Sequence, residues 1–130
     1  MGTKGFLGID AGTQGLSVVF TNENMDVLAT GNGDYEMVSG LDAGNYEQQP
    51  DDWTAALAAA MKNLRAEFAG EMEVLAIGVS GQMHGEVLCD DQGKSLGPAR
   101  LWCDSRNEAE EVELTDALGC LLYTSDAADE

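Results

Sequence analysis

The apolar run Gly5-Phe6-Leu7-Gly8-Ile9-Asp10 ends on a carboxylate and is followed, across Ala11-Gly12-Thr13-Gln14-Gly15, by the β-rich run Leu16 to Thr21. This predicts a strand, a tight turn and an antiparallel strand. The turn is not a Walker loop, and a dinucleotide fold is disfavoured. A Walker loop needs Gly-Lys-Ser/Thr, and a dinucleotide fingerprint needs GxGxxG opening a helix; here neither pattern is present and the turn leads into a strand. The turn offers other chemistry. Gly12 and Gly15 can adopt positive φ and leave no side chain in the way. Successive backbone N–H groups can then face a phosphate as an anion nest. Thr13 and Gln14 add side-chain donors, and Asp10 can hold Mg²⁺ or its waters, since hard cations take oxygen ligands. Taken alone, the same residues also suit a plain hairpin with turn glycines.

The meander continues. Asn22 to Asp26 reads as a second turn and Val27 to Thr30 as a third strand, with Gly31 and Gly33 predicting a bulge or bend. Ser39 to Gln49 is loop-like. Pro50 followed by Asp51 and Asp52 marks a helix start. Trp53, Leu57, Met61, Leu64 and Phe68 form an apolar helical stripe with Ala-rich filling, ended by Gly70. The continuous apolar run from Val74 to Val79 predicts a central strand buried on both faces. Gln82-Met83-His84-Gly85 stands at its carboxyl end. Val87-Leu88-Cys89 reads as a further strand and Asp90 to Lys94 as a turn. Leu101-Trp102 is a short apolar piece. Asn107 to Leu118 reads as a helix with Ala109, Val112, Leu114 and Leu118 inward and Glu108, Glu110, Glu111 and Glu113 outward. The order β-β-β-α-β-β-α predicts an α/β domain, a mixed sheet with helices on its faces.

Composition narrows the partners. The 130 residues allow one domain, and 44% hydrophobic residues allow a true core. A formal charge of −18, from 24 acids and 6 bases, argues against nucleic acid or an anionic membrane surface as partner. Three widely spaced cysteines without a CxxC pair argue for reduced thiols and a cytoplasmic setting. One histidine, His84, leaves no basis for a zinc cluster. No apolar run is long enough to span a membrane, and Met1 to Asp10 lacks the apolar core of a secretory signal. Phe6 stands where a myristoylation site needs Ser or Thr.

Four segments in order resemble the FGGY carbohydrate kinases of the actin/Hsp70/hexokinase ATPase superfamily. Asp10-Ala11-Gly12-Thr13-Gln14-Gly15-Leu16-Ser17 resembles their first phosphate motif. Glu47-Gln48-Gln49-Pro50-Asp51-Asp52-Trp53 is similar to the Glu-Gln-x-Pro-x-x-Trp start of their first helix. Gly78-Val79-Ser80-Gly81-Gln82-Met83-His84-Gly85 looks like the strand and sugar loop of xylulokinase-type members, whereas glycerol-type members carry Arg and Glu there. Leu101-Trp102-Cys103-Asp104-Ser105-Arg106 is similar to the Leu-Trp-x-Asp-x-Arg segment.

The resemblance implies a ribonuclease H-like N-terminal domain and transfer of the ATP γ-phosphoryl group to a sugar hydroxyl, with Mg²⁺ neutralising charge. The sugar it implies is D-xylulose, phosphorylated on its terminal 5-OH; ribulose, fuculose, gluconate or glycerol, or a non-catalytic binding role, are the alternatives. Gly12, Thr13, Gln14 and Gly15 are then the phosphate-binding residues and Asp10 the metal-positioning one. Gln82, Met83, His84, Trp102 and Asp104 are the sugar-side residues. A lone histidine is more often structural than a ligand, but the Gln-Met-His-Gly setting favours a sugar contact for His84. Asp104 and Arg106 read either as an ion pair at the pocket edge or as a helix start. The family's catalytic base, an aspartate, and its adenosine site are expected beyond residue 119, in a full-length protein that can be a homodimer.

Cys120 to Glu130 has a back-translation resembling a transposon end joined to a sequencing adapter. That stretch is expected to be read-through rather than native sequence, leaving residues 1–119 as a truncated front end. The isolated chain is therefore expected to be inactive and to expose apolar surface.

Overall fold

The computed structural model describes residues 2–118; the expected read-through segment 120–130 and Gly119 lie outside the described residues. Three antiparallel strands open the chain: β1 (Thr3–Ala11), β2 (Gly15–Asn22) and β3 (Val27–Asp34). A two-residue strand β4 (Glu47–Gln48) leads into helix α1 (Pro50–Glu67). The chain then returns as β5 (Met72–Gly81), parallel to β1, so the main sheet runs β3-β2-β1-β5. A second two-residue strand β6 (Ala99–Arg100) pairs antiparallel with β4, and helix α2 (Glu108–Leu118) follows. Among the described residues no helix is long and apolar enough to cross a membrane.

Alternation along the strands sets the core. Leu16, Val18 and Phe20 on β2 are buried together with Leu7 on β1 and Ala29 on β3, against Ala56, Ala60 and Leu64 of α1. Burying Phe20 or Leu64 completely is worth ~1.5–3 kcal/mol each. Phe68, just past the helix end, meets Phe20 edge-on with ring centroids 5.4 Å apart, the arrangement the ring quadrupoles favour. Asp51 and Asp52 in the first turn complement the positive end of α1.

Gly31 and Gly33 do not make the predicted bulge, because β3 runs through both to Asp34 and its register shift falls earlier, opposite Phe20 and Thr21. Space is what requires them. A Cβ at Gly31 would stand 2.0 Å from the Ala60 carbonyl oxygen, and one at Gly33 2.1 Å from that of Ala56. The helix backbone rests directly on the strand. Ala56 and Ala60 are therefore the contact face, not filling, while Trp53, Leu57, Met61 and Phe68 pack around it half-buried. The helix ends at Glu67, ahead of Gly70. From this helix Glu67 accepts the Thr30 N–H at 2.6 Å and Asn63 donates to the Asn32 carbonyl at 2.8 Å, which occupies polar groups of the β3 edge.

Four further expectations are corrected. Strand β5 is not buried: it is the sheet edge, and Ile77 and Val79 are 59% and 75% exposed. Its apolar run suits a strand covered on both faces, but α1 packs over β3 and β2, leaving β5 open on this chain. Val87-Leu88-Cys89 forms no strand, only an isolated bridge from Cys89 to Ser95, while the Asp90–Lys94 turn is present with Gly93 at φ +78°. Helix α2 buries none of its residues: Val112, Leu114 and Leu118 are exposed, since no described element faces them. The 39–49 loop contributes β4, held to β6 by the 47↔100 and 48↔99 pairs.

Candidate functional site

The Gly12–Gln14 turn caps the carboxyl end of β1, and its backbone is oriented from below. The buried Tyr35 donates its hydroxyl to the Gly12 carbonyl and, at 3.0 Å, to the Gly15 carbonyl. The Gly12 N–H also donates to the Gly15 carbonyl at 3.0 Å. Gln48, only 1% exposed, donates Nε2 to the Thr13 carbonyl at 2.7 Å. All peptides here are trans, so a carbonyl drawn inward turns the following N–H outward. The Thr13 and Gln14 N–H groups therefore face away from the core, and neither donates to a protein group among the described residues. Two adjacent outward N–H groups in a turn are the arrangement with which an anion can be met.

Neither Gly12 nor Gly15 is in the left-handed region. A Cβ on Gly15 would lie 3.2 Å from the Gly33 carbonyl oxygen, a tight approach of backbone, whereas one on Gly12 would meet only ordinary contact, 3.4 Å from the Gly15 carbonyl oxygen. Burial, then the Asp10 charge, raises the pKa of Tyr35, which keeps its hydroxyl a donor.

The sugar-side residues assemble on the same end of the sheet. Beyond β5, the Gln82 N–H continues the ladder by donating to the Ala11 carbonyl at 2.9 Å. A cavity of about 270 Å³ is lined by Thr13, Gly81, Gln82, Met83, His84 and Trp102. The Gly12–Gln14 turn and the Gln82–His84 segment thus share one space, and the Trp102 indole N–H reaches the Thr13 hydroxyl at 3.3 Å. Met83 and Trp102 are 71% and 59% exposed, presenting an adaptable apolar wall and a flat ring face. His84 takes φ +60°, a conformation uncommon outside glycine. Gln82 holds a buried Oε1 with no hydrogen-bond partner among the described residues.

Two predicted residues stand apart from this cavity. Asp10 is exposed on the sheet face opposite α1, paired in register with Ser17 and Ser80, and lines a separate open groove of about 630 Å³ with those serines and Asn32. Among the described residues no cluster of three His, Cys, Asp or Glu could hold a metal. A single carboxylate nonetheless suits Mg²⁺, which keeps several waters and takes phosphate oxygens as further ligands. Asp104 lines a neighbouring cavity with His84 and Trp102. Of the two readings left open for it, the structure selects the ion pair. Arg106 meets Asp104 at 2.7 Å and Glu47 at 2.8 Å, and the Tyr46 N–H donates to Asp104 at 2.8 Å. Hydrogen bonds from Arg106 hold the Asp104 carboxyl down at about 2.

Sequence reasoning passed over Tyr35 and Gln48. No motif marks Tyr35. Gln48 lies inside the Glu-Gln-x-Pro segment, where its position was visible and its partners were not.

Comparison with known proteins agrees with this architecture. Residues 6–120 match the N-terminal domain of the FGGY family of carbohydrate kinases. The xylulose kinase of Lactococcus lactis is 37% identical over 114 residues, covering 87% of this chain and 23% of that protein. The Escherichia coli xylulose kinase is 39% identical over 112 residues, covering 86% of this chain and 22% of that protein. A crystal structure of a xyloylose kinase from Brucella ovis superposes with TM-score 0.78 at 34% identity, covering 86% of this chain and 23% of that one. The chain thus spans about a quarter of the length of these relatives. Its sheet and helices are those of the actin/hexokinase-like ATPase fold, and the chain belongs to the FGGY family of carbohydrate kinases.

Proposed function

We propose that this domain forms the γ-phosphate and sugar side of an ATP-dependent ketopentose kinase, with D-xylulose as acceptor. The observation that carries the reading is the shared cavity, where Thr13 of the outward-facing N–H turn meets Gln82, Met83, His84 and Trp102. Phosphoryl transfer needs positioning and charge neutralisation more than covalent chemistry. The Thr13 and Gln14 N–H groups hold the phosphate, and the His84 ring and the Gln82 amide orient sugar hydroxyls. Asp10 would hold Mg²⁺ through water, and the ion neutralises charge on the phosphates when bound. Asp104 is no base for the attacking hydroxyl: held at about 2, it is a poor proton acceptor. The base and the adenosine pocket are assigned to chain beyond residue 119, as in a protein of the relatives' length.

The test is a chimera in which residues 2–118 replace the matched segment of the Escherichia coli xylulose kinase. It is assayed for ATP turnover on xylulose, ribulose, fuculose, gluconate and glycerol beside the 130-residue chain alone. Xylulose-dependent turnover by the chimera and none by the chain are expected. A preference for glycerol or gluconate overturns the xylulose assignment, and sugar-dependent turnover by the isolated chain overturns the division of labour.

A further inference from the structure

The Gln48 side chain lies between the two halves of the site. Its Nε2 donates to the Thr13 carbonyl at 2.7 Å. Its Oε1 accepts the Trp53 indole N–H at 3.0 Å and the Gln82 Nε2 at 3.1 Å. The chemistry of the partners fixes which end is which. An indole N–H only donates and a backbone carbonyl only accepts, so the amide of Gln48 has one permitted orientation. That orientation propagates. Gln82 must present its NH₂ to Gln48 Oε1, and so its own Oε1 is the atom left for something else. This Oε1 is the buried acceptor without a partner. A buried acceptor left unpaired is costly, and the atom belongs to a residue lining the shared cavity.

On the other side, drawing the Thr13 carbonyl inward turns the Gln14 N–H outward toward the phosphate position. We infer that Gln48 is a positioning residue for both substrates: one buried amide sets the direction of a phosphate-binding N–H and presents Gln82 Oε1 as acceptor for a sugar hydroxyl. Gln48 touches neither substrate and acts through Thr13 and Gln82. The inference rests on the sugar-kinase reading and adds to it a common support for the two subsites.

The two ends of the amide can be separated by substitution. Gln48→Glu keeps an acceptor for Trp53 and Gln82 but cannot donate to the Thr13 carbonyl and repels it. Gln48→Met removes both functions at similar volume. In the chimera, turnover is measured together with calorimetric binding of the Mg²⁺ complex of a β,γ-imido ATP analogue, which carries the γ-phosphate, and with xylulose binding by tryptophan fluorescence, so binding decides the point even where turnover is slow. Gln48→Glu is expected to lower kcat and weaken the ATP analogue on the order of tenfold, with the xylulose KM near the parent's; misplacement of a positioning group has effects of this size or larger. Gln48→Met is expected to weaken both ligands. Xylulose binding by Trp53→Phe, which leaves Gln82 and Thr13 bonded to Gln48, is expected to stay near the parent's. Equal losses for both ligands in Gln48→Glu, or no loss in either variant, overturn the inference while leaving the sugar-kinase reading intact. A parent chimera that binds neither ligand overturns that reading and this inference with it.

Discussion

Placing a methyl group at Gly33 tests the contact between α1 and β3 most directly. The Cβ would stand 2.1 Å from the Ala56 carbonyl oxygen, 2.7 Å from its carbon and 2.8 Å from its Cα, all backbone atoms that no rotamer change can move. Ordinary contact begins at 3.4 Å, so strand and helix must part by about 1.3 Å. Separation on that scale forfeits a good part of the dispersion energy across the interface, where Leu64 and Ala60 are fully buried. Overpacking of a tight core costs ~1–3 kcal/mol. With helix backbone as the obstacle, Gly33→Ala belongs at the upper end, about 3 kcal/mol, which in a domain of this size lowers Tm on the order of 15 °C. Thermal unfolding of the chain followed by far-UV circular dichroism measures it. Gly78→Ala is the reference, because nothing lies within 4 Å of a Cβ there; it should be neutral or slightly stabilising through the unfolded state. A Gly33→Ala protein as stable as Gly78→Ala would refute direct seating of the helix on the strand.

Asp104 makes the ion-paired corner sensitive to acid. Its folded pKa lies below its ordinary value, so its stabilising contribution is complete above about pH 4 and is lost as pH falls toward about 2. Unfolding midpoints between those limits should fall for the native chain, and the fall should be shallower in Asp104→Asn. His84→Gly should relieve left-handed backbone strain and raise stability by up to ~1 kcal/mol. The same change should weaken xylulose binding in the chimera, and a loss of both properties would show that His84 is a structural residue only.

Patterns that repeat along one element were legible in the sequence. The first hairpin, the helical stripe after Pro50 and the strand from Met72 onward are each encoded by local periodicity and turn residues. Relations between elements were less legible. The Gly31 and Gly33 codons say that a Cβ is absent, but a bulge and a close helix both require that absence. The apolar run of β5 was read as burial, whereas burial depends on elements that must come to it. At the site, motif residues Thr13, Gln82, Met83, His84 and Trp102 converge on one cavity. The hydrogen bonds that orient them pass through Tyr35 and Gln48, whose roles depend on contacts across 20 or more residues.

The side chains of Glu67 and Asn63 on the β3 edge bear on how copies of this chain could associate. An edge on which the Thr30 N–H and the Asn32 carbonyl are taken by its own helix is a poorer template for another strand, while β5 at the opposite end of the sheet pairs with no further strand among the described residues. A sheet that can grow at one end only cannot add copies head to tail. A pair of copies joined β5 to β5 about a two-fold axis would leave only the two partly occupied β3 edges facing outward, which disfavours growth into fibres.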